Sequence, residues 1–458
     1  MFKASYKKFK TGAQLALEHF DFFYKPIYRR FWPSMRLGLL SDPKYIAVLN
    51  NYSNPRKFGD FLLSTGSLDL LQLVKERNEA HALRLPPEPT PRQPAPSKQP
   101  TTPSFLKEDD WEEEEPGEWD EAHRGAEALG DYMTTDGSFS KEALERLDPD
   151  TRSQLMDVAD VLDAERGLLL PRVEDDLREY PSALRVLAYP RGDISLFPQA
   201  EVGPADTLGW YLMDGASLLP VLALNLALGD EVLDVCSAPG GKAILMLQTM
   251  LIGKLTCNDN QVGRLNRLRN SLLAYVPEKG TVLAGSEEAE LRDRITLTRS
   301  DASLPDWCRE HGHTEAFDKV LVDVPCTTDR HALHISEAGD RGSIFRRSRS
   351  AERMALPQAQ TRILFNGLKA TKPGGSVVYS TCTLSPLQNE AVVEAAVEMA
   401  RSRQGQEWAV VELRKLREDF NRAGFFRFYP HCRFGLLVLP FLPINYGPMY
   451  ICKLKRIK

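Results

Sequence analysis

The chain has 458 residues and a mass of 51.5 kDa, which suits two domains better than one. Hydrophobic residues make up 42% and charged residues 26%, values typical of folded soluble proteins, so collagen, coiled coil and wholesale disorder are excluded. The most apolar stretch, residues 434–451, is interrupted by prolines and glycines, so we predict no membrane span. None of the seven cysteines forms a Cys-x-x-Cys pair, which indicates free thiols, a reducing compartment and no metal site.

Charge divides the chain into three segments. The net charge of −5 combines +7 over residues 1–84, −16 over residues 85–180 and +4 over residues 181–458. We predict a basic, aromatic and helical N-terminal extension (1–84) that docks RNA or a partner. A Pro-rich acidic insertion (85–180) follows, largely disordered because it cannot bury enough apolar surface. The third segment (181–458) is predicted to be a folded α/β domain.

The middle segment is interpreted as a tether, with an acidic tail that docks a basic partner as the alternative. Residues 86–103 are rich in Pro, Thr and Gln, which favours an extended chain. Residues 108–121 are mostly acidic, and like charges keep such a segment solvated. Residues 140–167 have apolar positions at helical spacing and predict a local pair of helices.

From residue 209 onward, short apolar runs alternate with helical stretches. The runs predict strands over residues 231–236, 254–257, 295–298, 318–323 and 376–380. This alternation indicates an α/β fold with a doubly wound, mostly parallel, Rossmann-like sheet. Ligands in such folds bind at the carboxyl ends of the strands. The polar or reactive residues at those ends are Asp234, Asp259, Asp301, Asp323 and Cys382.

The first predicted strand runs directly into a Ser-Ala-Pro-Gly-Gly-Lys turn. Gly240 and Gly241 allow the backbone to approach a ligand closely, and the helix that begins behind them favours negative charge. Asp259 lies 19 residues after Gly240, close to the spacing of an acid that binds ribose hydroxyls. An ATP P-loop and a dinucleotide fingerprint are both poor matches, because their glycine patterns are absent.

Two cysteines follow predicted strands in the same local setting. Cys326 ends an Asp-Val-Pro-Cys run, and Cys382 ends a Ser-Thr-Cys run. Each alone would be interpreted as a small buried side chain. Together beside Asp323 they have a chemical use, because a thiolate that adds to carbon 6 of cytosine makes carbon 5 able to accept a methyl group. A neighbouring carboxylic acid can stabilise the charge that this addition creates, and no metal is needed.

These motifs resemble those of the Sun-domain RNA cytosine-5 methyltransferases. The matching stretches are CSAPGGK at 236–242, DVPC at 323–326 and STCT at 380–383. The chain is similar over roughly residues 15–55 and 185–458 to the branch of this family that acts on mitochondrial small-subunit ribosomal RNA. The resemblance implies that residues 181–458 form a class I S-adenosylmethionine-dependent methyltransferase domain. The long acidic middle departs from that branch, which carries a shorter insertion.

The resemblance implies a role for each residue of the motifs. Cys382 is the implied nucleophile, Cys326 assists release of the methylated product, and Asp323 recognises the cytosine edge. Because DNA enzymes use the Pro-Cys thiol as nucleophile and RNA enzymes use the Thr-Cys thiol, the presence of both favours RNA. S-adenosylmethionine is the implied cofactor, with Asp259 at its ribose and Asp301 at its adenine. The implied cofactor-binding residues are Cys236, Ser237, Ala238, Pro239, Gly240, Gly241, Lys242, Asp259, Arg264, Asp301 and Asp323.

An arginine cluster precedes a predicted helix and is interpreted as an RNA-binding segment within residues 341–353. Its members are Arg346, Arg347, Arg349 and Arg353. Such a cluster neutralises phosphates without reading sequence. A solvated charged loop is the alternative interpretation. The target base must leave its stack to reach Cys382, so single-stranded or looped RNA is expected.

A protein partner and a compartment also follow from the resemblance. The related branch lacks the separate RNA-binding domain of its bacterial relatives and pairs with a helical-repeat protein similar to mitochondrial transcription-termination factors. The N-terminal segment and residues 425–443 are candidate docking surfaces, although either could be core. The implied location is the mitochondrial matrix. The first 17 residues lack acids, as a presequence would, but also lack its arginines, so the residues themselves leave targeting open.

We therefore predict an S-adenosylmethionine-dependent enzyme that methylates carbon 5 of a cytosine in mitochondrial small-subunit ribosomal RNA, with a role in ribosome assembly. Transfer RNA is an alternative substrate for the same chemistry, and the catalytic motifs do not separate the two. A second alternative is an assembly factor whose binding to the ribosomal subunit matters more than catalysis. The intact Cys382 and Pro-Gly-Gly turn argue against that alternative.

Overall fold

The computed structural model describes residues 10–83, 170–177, 179–203, 206–277, 291–335 and 342–458. Described residues up to Glu79 and from residue 170 onward belong to one compact unit. The predicted acidic insertion falls mostly outside the described residues, and so do the predicted helices at 140–167 and Arg341.

The helices and strands are numbered here in chain order. The strands are β1 (Tyr45–Leu49), β2 (Leu68–Asp69), β3 (Arg172–Glu174), β4 (Val186–Ala188), β5 (Trp210–Asp214), β6 (Asp230–Asp234), β7 (Ile252–Asn258), β8 (Ile295–Thr298), β9 (Phe317–Asp323), β10 (Thr371–Thr381), β11 (Trp408–Glu412), β12 (Leu436–Val438) and β13 (Met449–Arg456). The α-helices are α1 (Gly12–Tyr28), α2 (Trp32–Leu40), α3 (Pro55–Ser64), α4 (Leu70–Ala82), α5 (Leu218–Leu224), α6 (Gly241–Gln248), α7 (Val262–Tyr275), α8 (Trp307–Glu310), α9 (Asp329–Leu333), α10 (Ser350–Ala370), α11 (Glu390–Gln404) and α12 (Arg414–Ala423). Short 3-10 helices cover Arg29–Phe31, Gly215–Ser217, Leu291–Arg294, Arg347–Arg349 and Pro386–Gln388.

A nine-stranded sheet forms the centre of the molecule, with strand order β3-β11-β13-β10-β9-β6-β7-β8 and β12 paired to β13. Neighbours among β10, β9, β6, β7 and β8 run parallel, which confirms the predicted doubly wound sheet. Chain order reverses between β6 and β9, and the crevice at such a reversal is where ligands bind in this class of fold. The antiparallel strand β13 lies between β10 and β11 and was not predicted.

The five predicted strands all occur; the strand at 295–298 has the predicted ends, and the other four have shifted ends. The first was expected to reach Cys236 but ends at Asp234, because the chain then turns and the Ser237 N–H donates to the Asn258 carbonyl at 2.8 Å. In β9 the side chains of Val320, Leu321 and Val322 are all fully buried. A strand that buries consecutive residues is covered on both faces, as expected in the middle of a parallel sheet.

A second, four-stranded sheet has the order β2-β4-β1-β5 and antiparallel pairing. Strand β1 pairs Ala47 with Leu187 and also with Leu212, so residues before and after the acidic insertion share one sheet. The predicted N-terminal helices are present as α1–α4, but the two strands among them were not predicted. Pairings between such distant segments leave no periodic signal in the sequence.

Helix α1 packs its aromatic residues inward. Thr11 and Gln14 form a capping box, in which each side chain accepts a hydrogen bond from the backbone N–H of the other. Phe20, Phe23 and Tyr24 lie on one face of the helix and are buried. These side chains therefore belong to the core. The same holds for the other candidate docking stretch, whose buried aromatic residues are Phe425, Phe426, Phe428 and Phe434.

Arg330 ties the first helices to the end of the chain. Its guanidinium is buried and donates to the carbonyls of Gly38 and Ser41 at 2.8 and 3.0 Å. It also donates to the carbonyl of Gly447 at 2.7 Å and to the Asn445 side chain at 3.0 Å. Among the described residues, no helix is both long and apolar enough to cross a membrane.

Replacing Arg330 with Met is expected to lower the free energy of unfolding by about 3 kcal/mol, because the buried carbonyls around it lose their donors. Urea denaturation followed by circular dichroism measures the change. Arg401→Met is the matched control, since Arg401 is 61% exposed and pairs with Glu398 in its own helix. A change of less than about 0.5 kcal/mol is expected for that control. Equal losses in the two variants would contradict the role of Arg330.

Candidate active site

Three strand ends meet at one edge of the main sheet. Strand β9 pairs in parallel with β6 on one side and β10 on the other. Its register sets Asp323 opposite Ser380 and places Leu321 opposite Asp234. Because the strands are parallel, the segments that follow them emerge at the same edge. The glycine turn, the Pro-Cys loop (residues 324–328) and the Thr-Cys loop (residues 381–385) are these segments.

The two predicted reactive cysteines are in contact. The sulfur atoms of Cys326 and Cys382 lie 3.1 Å apart, and both side chains are partly exposed. The hydrogen bond with Cys326 and burial raise the pKa of the Cys382 thiol well above its usual value. Asp323 acts on this pKa in the same direction, and Lys242 opposes it. The resting thiol is therefore neutral, and a base must remove its proton before the sulfur can act as a nucleophile.

Asp323 joins the glycine turn to the Thr-Cys strand. One of its carboxylate oxygens accepts from the Ser380 hydroxyl at 2.7 Å, and the other lies 2.7 Å from the Lys242 ammonium. Burial alone would lower the pKa of Lys242, but attraction to Asp323 more than offsets it and the pKa is raised. Lys242 therefore stays charged, while Asp323 keeps 29% of its side chain exposed to the cleft.

The glycine turn has a conformation that only glycine adopts easily. Gly240 has φ +112°, and a Cβ there would come within 2.8 Å of a Leu268 methyl carbon. Helix α6 begins at the next residue, Gly241, so its first backbone N–H groups point towards the turn. A Cβ on Gly241 would lie 3.1 Å from the Tyr211 ring. Because Gly240 and Gly241 have no side chains, α7 and β5 can pack closely against the turn.

Asp259 and Arg264 close the other side of the turn. The Asp259 carboxylate accepts from the Gln261 N–H and from the Arg264 Nε, both at 3.0 Å. Arg264 also donates to the Ala238 carbonyl at 2.6 Å, which ties the helix α7 side of the cleft to the turn. Asp301 instead accepts from the backbone and hydroxyl of Ser303 at 2.9 and 2.7 Å. Asp301 therefore caps its own loop after β8.

A buried carboxylate, that of Asp234, lies at the end of β6. Both oxygens of Asp234 are buried without a hydrogen-bond partner among the described residues. Burial raises the pKa of Asp234 to about 7, and the nearby Ser237 lowers it only in part. An unpaired acid beside a glycine turn fits a ligand that carries a cationic or hydroxyl donor. The Asp234 oxygens, which accept hydrogen bonds, are therefore compatible with S-adenosylmethionine, which has an ammonium group and ribose hydroxyls.

Other predicted cofactor-binding residues form the turn itself. Cys236 lies two residues after the end of β6, and burial raises the pKa of its thiol well above the usual value. Ser237 is buried, and Pro239 follows Ala238 through a cis peptide bond. Among the described residues, no group of three or more His, Cys, Asp or Glu side chains is arranged to hold a metal ion.

The four predicted RNA-binding arginines lie at the start of α10, in different settings. The Arg353 guanidinium lies over the Phe345 ring, 5.4 Å from its centroid, and donates to the Ile344 carbonyl. Arg349 pairs with Glu352 at 2.5 Å. Arg346 is partly exposed and Arg347 is exposed. Helix α10 also reaches the Pro-Cys loop, because Gln360 donates to the Pro325 carbonyl at 2.8 Å.

Sequence reasoning missed the polar residues that support the cysteines. Asp329 is fully buried and accepts hydrogen bonds from Thr327, Thr383 and Tyr24. The Oε1 atom of Gln388 accepts a hydrogen bond from the Thr327 N–H at 3.2 Å, and Gln388 is also buried. The signal available in the sequence was a charged residue three positions after Cys326, following two threonines.

Asp234→Asn is expected to stabilise the ligand-free protein, and to do so more as pH rises. A carboxyl whose pKa is raised by folding, here from 3.8 to about 7, destabilises the folded state as it ionises across that window. The variant minus wild-type difference in unfolding free energy should therefore grow by up to about 4 kcal/mol across it and then level off. Urea denaturation between pH 4 and pH 8 measures this, with the exposed Asp306→Asn as control. A difference independent of pH would contradict the burial of an unpaired acid.

The reactivity of Cys382 is expected to follow its neighbours. Cys326→Ala removes the first cause of its raised pKa, so the pH midpoint of Cys382 alkylation by iodoacetamide should fall. Lys242→Met removes the opposing charge, so the midpoint should rise. Peptide mass spectrometry measures alkylation at Cys382, and Lys254→Met on the exposed start of β7 is the control. Midpoints that stay unchanged in both variants would rule out this coupling.

Comparison with known proteins assigns these motifs to one family. A family model described as 16S rRNA methyltransferase RsmB/F matches residues 221–437. The chain is 39% identical to the 5-cytosine rRNA methyltransferase nsun-4 of Caenorhabditis elegans, over 99% of this chain and 94% of that protein. It is 35% identical to the 5-cytosine rRNA methyltransferase NSUN4 of Mus musculus, over 98% of this chain and 90% of that protein.

A mitochondrial tRNA (cytosine(34)-C(5))-methyltransferase of Danio rerio is 40% identical, over 54% of this chain and 62% of that protein. The two rRNA methyltransferases match nearly the whole chain, whereas the tRNA enzyme matches about half of it. On these matches the chain belongs to the RsmB/F family of RNA cytosine-5 methyltransferases, enzymes that use S-adenosylmethionine as methyl donor.

Proposed function

We propose that this protein methylates carbon 5 of a cytosine in the small-subunit ribosomal RNA of mitochondria, through a covalent bond between Cys382 and the base. The observation that carries the proposal is the pair of sulfur atoms of Cys326 and Cys382, 3.1 Å apart beside the strand that ends at Asp323. The ribosomal substrate is supported by relatives named as rRNA methyltransferases that match nearly the whole chain.

Asp323 and Lys242 are proposed to recognise the target base. They form a carboxylate acceptor and an ammonium donor 2.7 Å apart in a partly buried site. The edge of cytosine presents an amine donor next to a ring nitrogen acceptor, so the pair is complementary to it. Their hydrogen bonds also stabilise the charge that the ring gains when sulfur adds to it. Bases with a different edge would leave one of these buried groups unpaired.

Cys382 is proposed to be the nucleophile. After losing its proton, its sulfur forms a bond to carbon 6 of the base, and the ring electrons make carbon 5 nucleophilic. S-adenosylmethionine supplies the electrophilic methyl group that carbon 5 takes. Lys242 favours the thiolate, since its charge opposes the groups that raise the pKa of Cys382. The hydrogen bonds between β9 and β10 hold the backbone before Cys382, which limits the movement of its sulfur.

Cys326 is proposed to complete the reaction. Carbon 5 carries both a hydrogen and the new methyl group after transfer, and a base must remove that proton. The Cys326 sulfur is 3.1 Å from the Cys382 sulfur and so lies close to the same carbon atoms of the bound base. When the proton leaves, its electron pair restores the ring double bond, the sulfur–carbon 6 bond breaks and Cys382 is regenerated.

The cofactor is proposed to lie across the glycine turn. Gly240 and Gly241 give it backbone contact, and Asp259 with Arg264 faces its ribose. Asp234 has two unpaired oxygens available for a cationic or hydroxyl donor. Asp301, which caps the loop after β8, is assigned to the adenine end. The remaining turn residues assigned to the cofactor are Cys236, Ser237, Ala238, Pro239 and Lys242.

We assign RNA contacts to the segment at the start of α10. The proposed location of the protein is the mitochondrial matrix. Arg346 and Arg347 offer the more accessible cations, while Arg349 and Arg353 brace the segment through Glu352 and Phe345. A helical-repeat protein is the proposed partner that brings the enzyme to the ribosomal subunit, where it also serves assembly. One relative is named as mitochondrial. The same relative acts on transfer RNA by its name, which keeps transfer RNA as the second candidate substrate.

Methyl transfer to small-subunit mitochondrial ribosomal RNA is the direct test. With wild-type protein and S-adenosylmethionine we expect 5-methylcytosine, measured by mass spectrometry of nucleosides. Cys382→Ala should lose activity by at least about 10³-fold, because the nucleophile is gone. Cys326→Ala should accumulate a protein–RNA adduct visible on a denaturing gel. Cys432→Ala, outside the cleft, is the control. Activity in Cys382→Ala would contradict the assignment, and methylation of transfer RNA alone would change the substrate.

A further inference from the structure

Asp329 is the most heavily hydrogen-bonded buried carboxylate near the two cysteines. It is fully buried. Its oxygens accept from Thr327 Oγ1 at 2.7 Å, Thr383 Oγ1 at 3.0 Å and the Leu384 N–H at 2.8 Å. These neutral donors offset only part of the cost of burying a charge, because burial still raises the pKa of Asp329, so the loss of any one donor adds to that cost. The carboxylate therefore fixes the positions of its donors.

These donors come from both cysteine loops. Thr327 directly follows Cys326, and Thr383 directly follows Cys382. The Asp329 N–H also donates to the Cys382 carbonyl at 3.2 Å, so backbone and side chain of one residue both hold the Thr-Cys loop. The hydroxyls of Thr327 and Thr383 lie 2.8 Å apart. The Pro-Cys and Thr-Cys loops are thus joined through the residue that follows each cysteine, although these two residues are 56 positions apart in the chain.

The first helix supplies another donor. The hydroxyl of Tyr24 in α1 donates to Asp329 Oδ2 at 2.8 Å and lies 3.3 Å from Thr383 Oγ1. Its ring stacks on Phe20 and meets Trp32 edge-on, so the hydroxyl cannot turn away. The neighbouring Tyr28 donates to the Leu384 carbonyl. Helix α1 therefore contacts the Thr-Cys loop with two tyrosine hydroxyls.

We propose that Asp329 is a positioning residue that sets the separation of the Cys326 and Cys382 sulfur atoms, and that Tyr24 of the first helix completes its set of donors. The inference rests on the proposed function, because the sulfur separation matters only if both cysteines act on the same base. Addition and release need the two sulfurs on one cytosine ring at once, and small displacements of reacting atoms cost large factors in rate. The N-terminal segment thereby takes part in the chemistry without touching the substrate.

Three substitutions test this. Tyr24→Phe removes one hydroxyl and keeps the ring, while Thr327→Val removes another and keeps the side-chain shape. Thr327→Ser retains the hydroxyl and should restore the wild-type rate. Tyr180→Phe is the matched control, because the Tyr180 hydroxyl donates to the buried Asp419 at 2.9 Å away from both cysteine loops. Thermal unfolding is recorded for every variant, so that rates are compared only for folded protein.

The first readout is single-turnover methyl transfer with saturating RNA and S-adenosylmethionine. Tyr24→Phe and Thr327→Val should each slow it about tenfold, with the Kd of RNA and of cofactor unchanged. A merely structural contact would lower the unfolding temperature and leave the rate of the folded fraction at the wild-type value, as expected for Tyr180→Phe. Wild-type rates in both folded variants would overturn the proposal.

The second readout needs no RNA. Diamide accepts two hydrogens from the two thiols, is reduced to the hydrazine, and leaves a disulfide between Cys326 and Cys382. Formation of this crosslink, followed by peptide mass spectrometry, should be several-fold slower in Tyr24→Phe and Thr327→Val than in wild type. An unchanged crosslinking rate in both would show that the sulfur separation is set elsewhere. If Cys382→Ala kept methyl transfer activity, the proposed function itself would fail, whichever way these variants behaved.

Discussion

The parallel pairing of β9 with both β6 and β10 is the constraint on which the site depends. It fixes the register at which Asp323 meets Ser380, and it delivers three loops to one edge of the sheet. The Lys242–Asp323 contact then links the helix that follows the glycine turn to the end of β9. No flexible loop has to bring these groups together, because the hydrogen bonds of buried strands already hold the backbone on which they are carried.

Charged neighbours in the cleft shift the pKa of the Cys382 thiol in opposite directions. Asp323 raises the pKa of Cys382 while it keeps Lys242 charged, and Lys242 in turn favours the thiolate. The resting Cys382 thiol is thereby kept neutral, although the Lys242 cation opposes this effect. A neutral thiol is a poor target for oxidants and alkylating agents. The arrangement therefore protects the Cys382 sulfur from these reagents in the resting protein.

Much of the main sheet and of the cleft could be predicted from the sequence, because both are marked locally. Short apolar runs identified the five parallel strands, and the Gly-Gly turn and cysteine motifs follow three of them directly. The antiparallel strand β13 and the second sheet were missed, since they depend on pairings between distant segments. Asp329 and Tyr24 were missed for the same reason, as 305 residues separate the two partners of their hydrogen bond.

The pairing of β1 with β4 and β5 has a consequence for how the chain can change in length. Strand β1 precedes the acidic insertion and its partners follow it, so strand pairing joins the described residues on either side of the insertion. In general, the entropy of closing a chain segment between fixed ends grows only with the logarithm of its length, and doubling the length costs about 0.6 kcal/mol. A change in the number of residues between β1 and β4 should therefore cost little folding free energy, while the spacing of the glycine turn and the cysteine motifs stays the same.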